Sequence, residues 1–245
     1  MAIGQGVSVW VLDAPHGLAI ADYHSHHAIQ ITIALEGELT LSTTEHSLSA
    51  NALAVRADAR HRIDAHGLLA FIFVEPESRE GRALSTALFQ DADLVELNAV
   101  QLYEAVEPLR RTFEDKLTNE RLMEIGRAIV DRLAPAGEAP LPDPRIQRII
   151  DYANAHLHEP LSLASAAHGV YLSPSRLRHL FVEQTGVPFK TYLLWLRLIG
   201  AVQLYSQGAN SLTDAAHAAG FADSAHFSRV FKRTFGSPAT TLPRF

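Results

Sequence analysis

The stretch SLTDAAHAAGFADSAHFSRVFKRTFGSP occupies residues 211–238, and a variant of it, SLASAAHGVYLSPSRLRHLFVEQTGVP, occupies residues 162–188. Both copies open on Ser-Leu followed by Ala-Ala-His, and both end on Phe, four further residues and Gly-x-Pro. The second copy has one extra residue between these ends, which we place in the turn. Each copy combines a small-residue helix, a tight turn and a capped helix, so the repeat predicts two helix-turn-helix units.

The second helix of each copy has an apolar face and a polar face. Leu177 and Phe181 share the apolar face in the first copy, as Phe227 and Phe231 do in the second. The opposite face carries side chains that suit base edges in a major groove or backbone phosphates. The predicted DNA-binding residues are Ser175, Arg176, Arg178, His179, Ser224, Ala225, Ser228, Arg229 and Lys232. The alternative is that these are ordinary solvated side chains.

The segment between the copies predicts a long helix from about residue 189 to residue 205. At about 1.5 Å per residue this helix is roughly 25 Å long. With the packing depth of each unit, the two recognition helices are expected about 34 Å apart, which is one turn of B-DNA. One chain would then enter two successive major grooves on the same side of a duplex.

Charge is distributed unevenly along the 245 residues. Residues 1–143 carry 11 Lys and Arg against 22 Asp and Glu, whereas residues 144–245 carry 10 against 5. A basic half suggests nucleic-acid contact, although two solvated surfaces can differ in this way by chance. The absence of cysteine excludes disulfides and thiolate metal sites. No membrane-spanning run or export signal is found, so we expect a cytoplasmic protein.

The pattern of apolar and polar residues changes twice along the chain. Residues 1–75 contain short β-like runs at 7–12, 29–35, 39–42, 53–55 and 68–74, with turn signals at 14–17 and 36–38. From Leu84 through Leu94 and Leu97 to Phe113, and again over 122–133, apolar residues recur at helical spacing. The proline-rich segment after Leu133 predicts a linker.

The sequence therefore predicts an α+β protein of two domains. The predicted parts are a β-sandwich or small barrel at 1–80, which the resemblance described below identifies as a cupin-like sensor barrel, a helical dimerisation region at 81–134, a linker at 135–143 and an all-α DNA-binding domain at 144–245, with helix-turn-helix units at about 162–186 and 211–236.

The last hundred residues resemble the DNA-binding domain of the AraC/XylS family of transcription regulators. The resemblance rests on SPSRL at 173–177, AAGF at 218–221 and FGSP at 235–238. It implies seven helices containing two helix-turn-helix motifs. His179 stands where the family often has arginine, and residues 241–245 lack the usual tyrosine before arginine.

The segment HSHHAIQITIALEG at 24–37 resembles the first motif of the cupin barrel, and His61 stands where the second motif has its histidine. Many AraC-like regulators have a cupin-like sensor barrel. His24 and His26, two residues apart on a strand, would face one side, and His61 would add a third imidazole, enough for a zinc or similar ion. Gln30 stands where metal-binding members carry glutamate, so a divalent metal is the less favoured occupant and no cofactor is expected.

A small organic effector is the favoured occupant of the barrel. The predicted effector-binding residues are Trp10, Tyr23, His24, His26, Gln30 and His61. We therefore expect a dimeric, effector-responsive regulator that is not an enzyme. Its partners would be double-stranded DNA and, if it is an activator, RNA polymerase. Two alternatives stay open: a metal-dependent cupin enzyme fused to a DNA-binding module, and a barrel that serves only as a dimerisation scaffold.

Overall fold

The computed structural model describes residues 1–4, 6–111, 117–135, 137, 139–167 and 170–242. It contains two compact units, Met1–Pro140 and Leu141–Phe245. Three features named above, Phe113, His168 and residues 243–245, lie outside the described residues. No helix among the described residues is both long enough and apolar enough to cross a membrane.

The first unit combines a sheet with helices. Its strands are β1 (Ala2–Ile3), β2 (Val7–His24), β3 (Ile29–Ala34), β4 (Leu39–Thr43), β5 (Ser47–Ser49), β6 (Ala52–Val55), β7 (His61–Val74) and β8 (Leu94–Glu96). Its helices are α1 (Arg79–Leu84), which continues into a π-helical turn (Ser85–Phe89), α2 (Ala99–Arg110) and α3 (Asn119–Leu133).

The sheet is organised around β7. This strand pairs antiparallel with β2 on one side, and with β4 and then β3 on the other. The order is β1-β2-β7-β3-β6-β8, with β5 added beside β4. Within the described ranges no ladder joins β1 to β8, so the sheet is open, whereas the sequence predicted a barrel. The two end strands, β1 and β8, have two and three residues and pair only with β2 and β6 in the described ranges.

The two faces of the sheet differ in chemistry. In β3, Ile29, Ile31 and Ile33 belong to an apolar core that also contains Val106 of α2 and Ile129 of α3. Burying each such side chain stabilises the fold by about 1.5–3 kcal/mol. The amphipathic helices predicted over 81–134 therefore pack on the sheet of their own unit. The alternating residues of β3, Gln30 and Thr32, are buried on the other face of the sheet.

Two local predictions were wrong. Residues 14–17 do not form a turn: β2 continues through an irregularity between Ala14 and Leu18, where Gly17 adopts a φ of +87° and accommodates the extra residues. Leu94 is not helical, because β8 pairs with β6 and places Leu94 opposite Val55. Backbone pairing at a sheet edge outweighs the helical spacing of the leucines.

The second unit is helical. Its helices are α4 (Pro144–Ala155), α5 (Leu163–Ala166), α6 (Pro174–Thr185), α7 (Phe189–Ser206), α8 (Leu212–Ala218) and α9 (Ser224–Phe235), followed by a 3₁₀ turn (Ala239–Thr241). With this turn, the described part contains the seven helical segments that the family resemblance implied. Of the caps that the sequence indicates, Ser162, Ser173, Ser211 and Asp223 each accept a hydrogen bond from a first-turn N–H, whereas Ser237 does not, because the last 3₁₀ turn is capped by Pro238 without a side-chain bond.

Candidate nucleic-acid interface and ligand site

The recognition helices α6 and α9 have the same construction. Each is anchored by buried aromatic and aliphatic side chains, with Phe181 and Phe231 almost fully buried. Each ends at a glycine in the left-handed region, Gly186 at φ +81° and Gly236 at φ +72°. The polar faces point to solvent, and all nine predicted DNA-binding residues are exposed.

The long helix α7 connects the two helix-turn-helix units through its buried side chains. The ring of Phe181 in α6 packs edge-on against Phe189 and Tyr192, with ring centroids 5.3 and 5.5 Å apart. Trp195 lies farther along α7, with its ring centroid 6.4 Å from that of Phe235 in α9. Both recognition helices are therefore seated on one continuous helix, which fixes their spacing.

A polar contact adds to this connection. Arg197 of α7 donates from Nε to the carbonyl of Leu157 at 3.0 Å and from Nη2 to the carbonyl of Glu159 at 2.7 Å. Gly220, in the turn of the second unit at φ +88°, packs so closely that a Cβ there would overlap the Leu157 oxygen. The loop after α4, the middle of α7 and the turn between α8 and α9 thus contact one another.

A groove of about 830 Å³ opens on the second unit. The recognition helix α6 contributes Ser175, Arg178 and His179 to its lining, and α9 contributes His226 from its first turn. Residues of both recognition helices therefore lie on one concave surface. The sequence did not indicate Lys190, which also lines this groove from the start of α7.

The first unit contains a cluster of three histidines. One ring nitrogen each of His24, His26 and His61 lies within 4.8 Å of the others, and all three side chains are buried. The sequence predicted this group correctly but gave a partly wrong reason for it. Strand β2 ends at His24, so His26 belongs to the loop before β3 and not to the same strand.

The histidine cluster surrounds the amide of Gln30. Gln30 Oε1 lies 2.9 Å from His26 Nε2 and 3.3 Å from His61 Nε2, while Gln30 Nε2 donates to Thr32 Oγ1 at 2.8 Å. The Nδ1 atoms of His26 and His61 lie 3.1 and 3.0 Å from the carbonyls of Ala28 and Ala59. Since a carbonyl only accepts, Nδ1 carries the proton in each ring and Nε2 is an acceptor.

Burial keeps these rings neutral. Desolvation lowers the pKa of His26 to about 4 and lowers the pKa of His61 well below its ordinary value, and repulsion from the neighbouring imidazoles adds to both effects. Desolvation also lowers the pKa of His24. His24 Nδ1 likewise lies 3.2 Å from the carbonyl of Asp22, so all three neutral rings carry the proton on Nδ1 and have an Nε2 lone pair available, and those of His26 and His61 lie next to the Gln30 amide.

Such a convergence of acceptors needs a donor or a cation. One solution is a flipped Gln30 amide, in which the NH₂ group and not the oxygen points toward the histidines and donates to their Nε2 atoms. The hydrogen-bonding partners determine which orientation the amide takes. A divalent ion is the other solution, because neutral imidazoles that donate through Nδ1 to carbonyls are in the state that ligates metals. The donor set of His24, His26 and His61 therefore fits a metal, with Gln30 as an uncharged neighbour.

The other two predicted effector residues have different surroundings. The ring of Trp10 contacts that of Phe73 at 5.3 Å, and Phe73 in turn contacts the ring of His26 at 5.2 Å. Tyr23 is adjacent to His24 in the strand, with its hydroxyl donating to the Thr43 carbonyl and its ring beneath the guanidinium of Arg62. The described contacts of Tyr23 are thus with an exposed arginine and a strand carbonyl. Phe73, which the sequence did not single out, connects Trp10 to the histidines.

A second buried polar group was missed. His27 Nδ1 lies 2.9 Å from Asp58 Oδ2, and His27 Nε2 lies 3.3 Å from Glu77 Oε2. Burial opposes the charge on the ring, but hydrogen bonds to Asp58 and Glu77 raise the pKa of His27 to about 9. Burial raises the pKa of nearby Glu75 to about 8. No periodicity marks these residues, because they lie in loops distant in sequence.

Comparison with known proteins agrees with the architecture of the second unit. Residues 166–244 match the family model described as a helix-turn-helix domain. The regulator GbdR of Pseudomonas aeruginosa is 36% identical over 95 residues, which are 39% of this chain and 26% of GbdR. The activator RhaS of Citrobacter koseri is 37% identical over 93 residues. The matched part of this chain spans about a quarter of GbdR and a third of RhaS.

Two similarities extend over most of the chain. The probable transcriptional regulator LumQ of Photobacterium leiognathi is 24% identical over 235 residues, covering 91% of this chain and 92% of LumQ. The crystal structure of ToxT from Vibrio cholerae O395 has a TM-score of 0.59 at 14% identity, covering 96% of this chain and 95% of ToxT. ToxT therefore shares the fold. The matched helix-turn-helix domain and these similarities are shared with named transcription regulators.

Proposed function

We propose that this protein is a sequence-specific, DNA-binding transcription regulator and not an enzyme. One observation carries the proposal: two capped recognition helices sit on the single helix α7, and side chains of both line one concave surface. Arg178 and Arg229, exposed on α6 and α9, would contact bases, and Lys232 would contact phosphate. The regulator names of GbdR and LumQ support the same function.

The first unit would act as the effector sensor. His24, His26 and His61 lie close together around Gln30, which is buried on the sheet face opposite the apolar core. The ring of Phe73 contacts both His26 and Trp10 and so connects Trp10 to this group. Buried polar groups beside aromatic rings are typical of small-molecule sites. ToxT from Vibrio cholerae, which shares the fold, has been solved with unsaturated fatty acid bound, and this supports the proposal that the present protein responds to an effector. Tyr23 is the weakest of the predicted effector residues.

A dimer would form through the helices of residues 81–134. Val100 is 85% exposed and Tyr103 is 58% exposed, one turn apart on α2. Two large apolar side chains exposed on one face of a helix suit an interface, and a second copy is the proposed partner. The protein would work in the cytoplasm, and an activating form would also contact RNA polymerase.

The test is selection of bound duplexes from a random DNA library by the full chain. We expect enrichment of a site with two conserved segments, each about one major groove wide and centred about one helical turn apart. Recovery of sequences without a shared motif would refute sequence-specific binding. Melting of the full chain with candidate effectors then tests the sensor, and a Gln30→Ala variant should lose any ligand-induced increase in Tm.

A metal-binding first unit is the second candidate, favoured by the convergence of the three Nε2 lone pairs. A bound divalent ion would supply a Lewis-acidic point for an effector oxygen. Metal analysis of the purified chain tests this candidate. A stoichiometric ion that His61→Ala abolishes, while His46→Ala retains it, supports the metal site. An ion-free protein whose histidine NMR signals do not move on adding Zn²⁺ rules the metal out.

A further inference from the structure

The groove on the second unit contains more than base-contacting residues. Its exposed rim carries Arg178 and His179 of α6 and Lys190 of α7, and the half-buried Arg197 of α7 and His226 of α9 also line it. The described residues that line it include no Asp or Glu. Its floor is apolar and includes Phe189 and Leu193. The surface between the two recognition helices is therefore cationic at its edges and apolar at its centre.

This chemistry matches one part of a duplex. A sugar-phosphate backbone alternates anionic phosphates with apolar deoxyribose faces, so it can occupy an apolar floor while its phosphates meet the cations of the rim. A row of phosphates can meet Arg178 of α6, Lys190 of α7 and the imidazole of His226 of α9 together, whereas a single small anion can reach only one or two of them. Because side chains of both recognition helices border the groove, a duplex held by both would pass over it.

We propose that the groove holds the DNA backbone between the two contacted major-groove segments, and that Lys190 of α7 is a phosphate-contacting residue. The inference rests on the proposed function, since it names a further contact in the same complex. Lys190 would set affinity and orientation without carrying sequence information. The second unit would thus hold the duplex at three places, with the connecting helix supplying the central one.

The experiment measures binding of the full chain to the selected duplex and to a scrambled duplex of equal length, across a range of salt. Lys190→Ala should reduce the slope of log Kobs against log salt by about 0.9 on both duplexes, as expected for one lost phosphate contact. The ratio of the two affinities should stay unchanged. Lys190→Glu should weaken binding to both duplexes further.

Arg148→Ala is the matched control, because Arg148 is exposed on α4 and does not line the groove. It should leave the salt slope closer to the wild-type value than Lys190→Ala does. Hydroxyl-radical footprinting should show backbone protection between the two major-groove segments, and Lys190→Glu should lose that central protection while the flanking protections remain. Melting curves check that both Lys190 variants fold.

Three results overturn the proposal: an unchanged salt slope in Lys190→Ala, a specificity ratio altered as strongly as by a base-contact variant, or no central protection in the wild type. Any of them would leave the groove to a different occupant. If the proposed function itself were wrong, the wild-type chain would enrich no motif from the random library. That result differs from all three results above.

Discussion

Arg197 Nε lies 3.0 Å from the carbonyl oxygen of Leu157, and the same guanidinium also bonds to the carbonyl of Glu159. The loop after α4 is thereby fastened to the middle of α7. Both carbonyls lie beyond the last turn of α4 and accept no other described hydrogen bond from the backbone. The contact serves the geometry of the second unit and lies outside the predicted base-contacting set.

Arg197→Ala should destabilise the second unit by about 1.5–3 kcal/mol, since it removes a charged donor from two carbonyls. Urea denaturation of the full chain in a Trp10→Phe background checks this, because Trp195 is then the only tryptophan and lies in the second unit. Arg148→Ala in the same background is the control. Equal midpoints for the two variants would contradict a structural role for Arg197.

Gly220→Ala should cost more than Gly186→Ala, although both glycines have a positive φ. At Gly186 no atom lies within 4 Å of an added Cβ, so only the left-handed strain of about 1–2 kcal/mol applies. At Gly220 the Cβ would overlap the Leu157 carbonyl and crowd Arg197, for a total of about 2–4 kcal/mol. The same fluorescence assay measures both, and a smaller loss for Gly220→Ala would show that the Leu157 loop yields freely.

Arg229→Ala should weaken binding to the selected duplex by about 1–3 kcal/mol and affect scrambled DNA less, because a base contact discriminates between sequences. Lys232→Ala should weaken both duplexes nearly equally and reduce the salt slope. Fluorescence anisotropy at several salt concentrations separates the two behaviours. Equal losses on both duplexes for Arg229→Ala would remove Arg229 from sequence recognition.

Stability of the first unit should fall as the pH rises from about 6.5 to about 9. The pKa of His27 is raised in the folded state by Asp58 and Glu77, so its contribution is complete below the unfolded value and is lost as pH rises through the folded value. The raised pKa of Glu75 also makes the first unit less stable as the pH rises, over a range that begins at lower pH and ends at about 8. Thermal melting followed by Trp10 in a Trp195→Phe background measures the trend.

His27→Gln should flatten that dependence, because the variant has no ring to release a proton. His46→Gln is the matched control, since the His46 side chain is 77% exposed. A wild-type Tm that stays constant over this pH range, or a His27→Gln curve parallel to it, would mean that the folded ring titrates normally.

The sequence predicted the second unit more closely than the first, for a physical reason. Helix boundaries depend on local chemistry: Ser173 before Pro174, Asp223 and Gly186 mark helix ends in the structure, and they lie within the repeat from which capped helices were predicted. Strand partners are distant in sequence. The first half of β7 was missed because Arg62, Asp64 and His66 make it look like a loop, although the alternating Ile63 and Ala65 are buried.

The candidate ligand site was predicted by residue type and only partly by geometry. His24, His26 and His61 were grouped correctly because their spacing resembled known motifs. Tyr23 was also predicted to line the effector site, but adjacent residues in a strand point to opposite faces, and Tyr23 contacts Arg62. The charged group of His27, Asp58 and Glu77 was invisible because its members come from three separate loops.

Because both recognition helices pack on α7, the distance between them is fixed. A rigid connection of this kind matches only operators whose two contacted segments lie one fixed distance apart, about one turn of the double helix. Inserting five base pairs between these segments would rotate one of them to the far side of the duplex. Inserting ten would return it to the same side, but one helical turn too far away for the second recognition helix to contact. The spacing within an operator should therefore be under tighter constraint than the bases that separate its two halves.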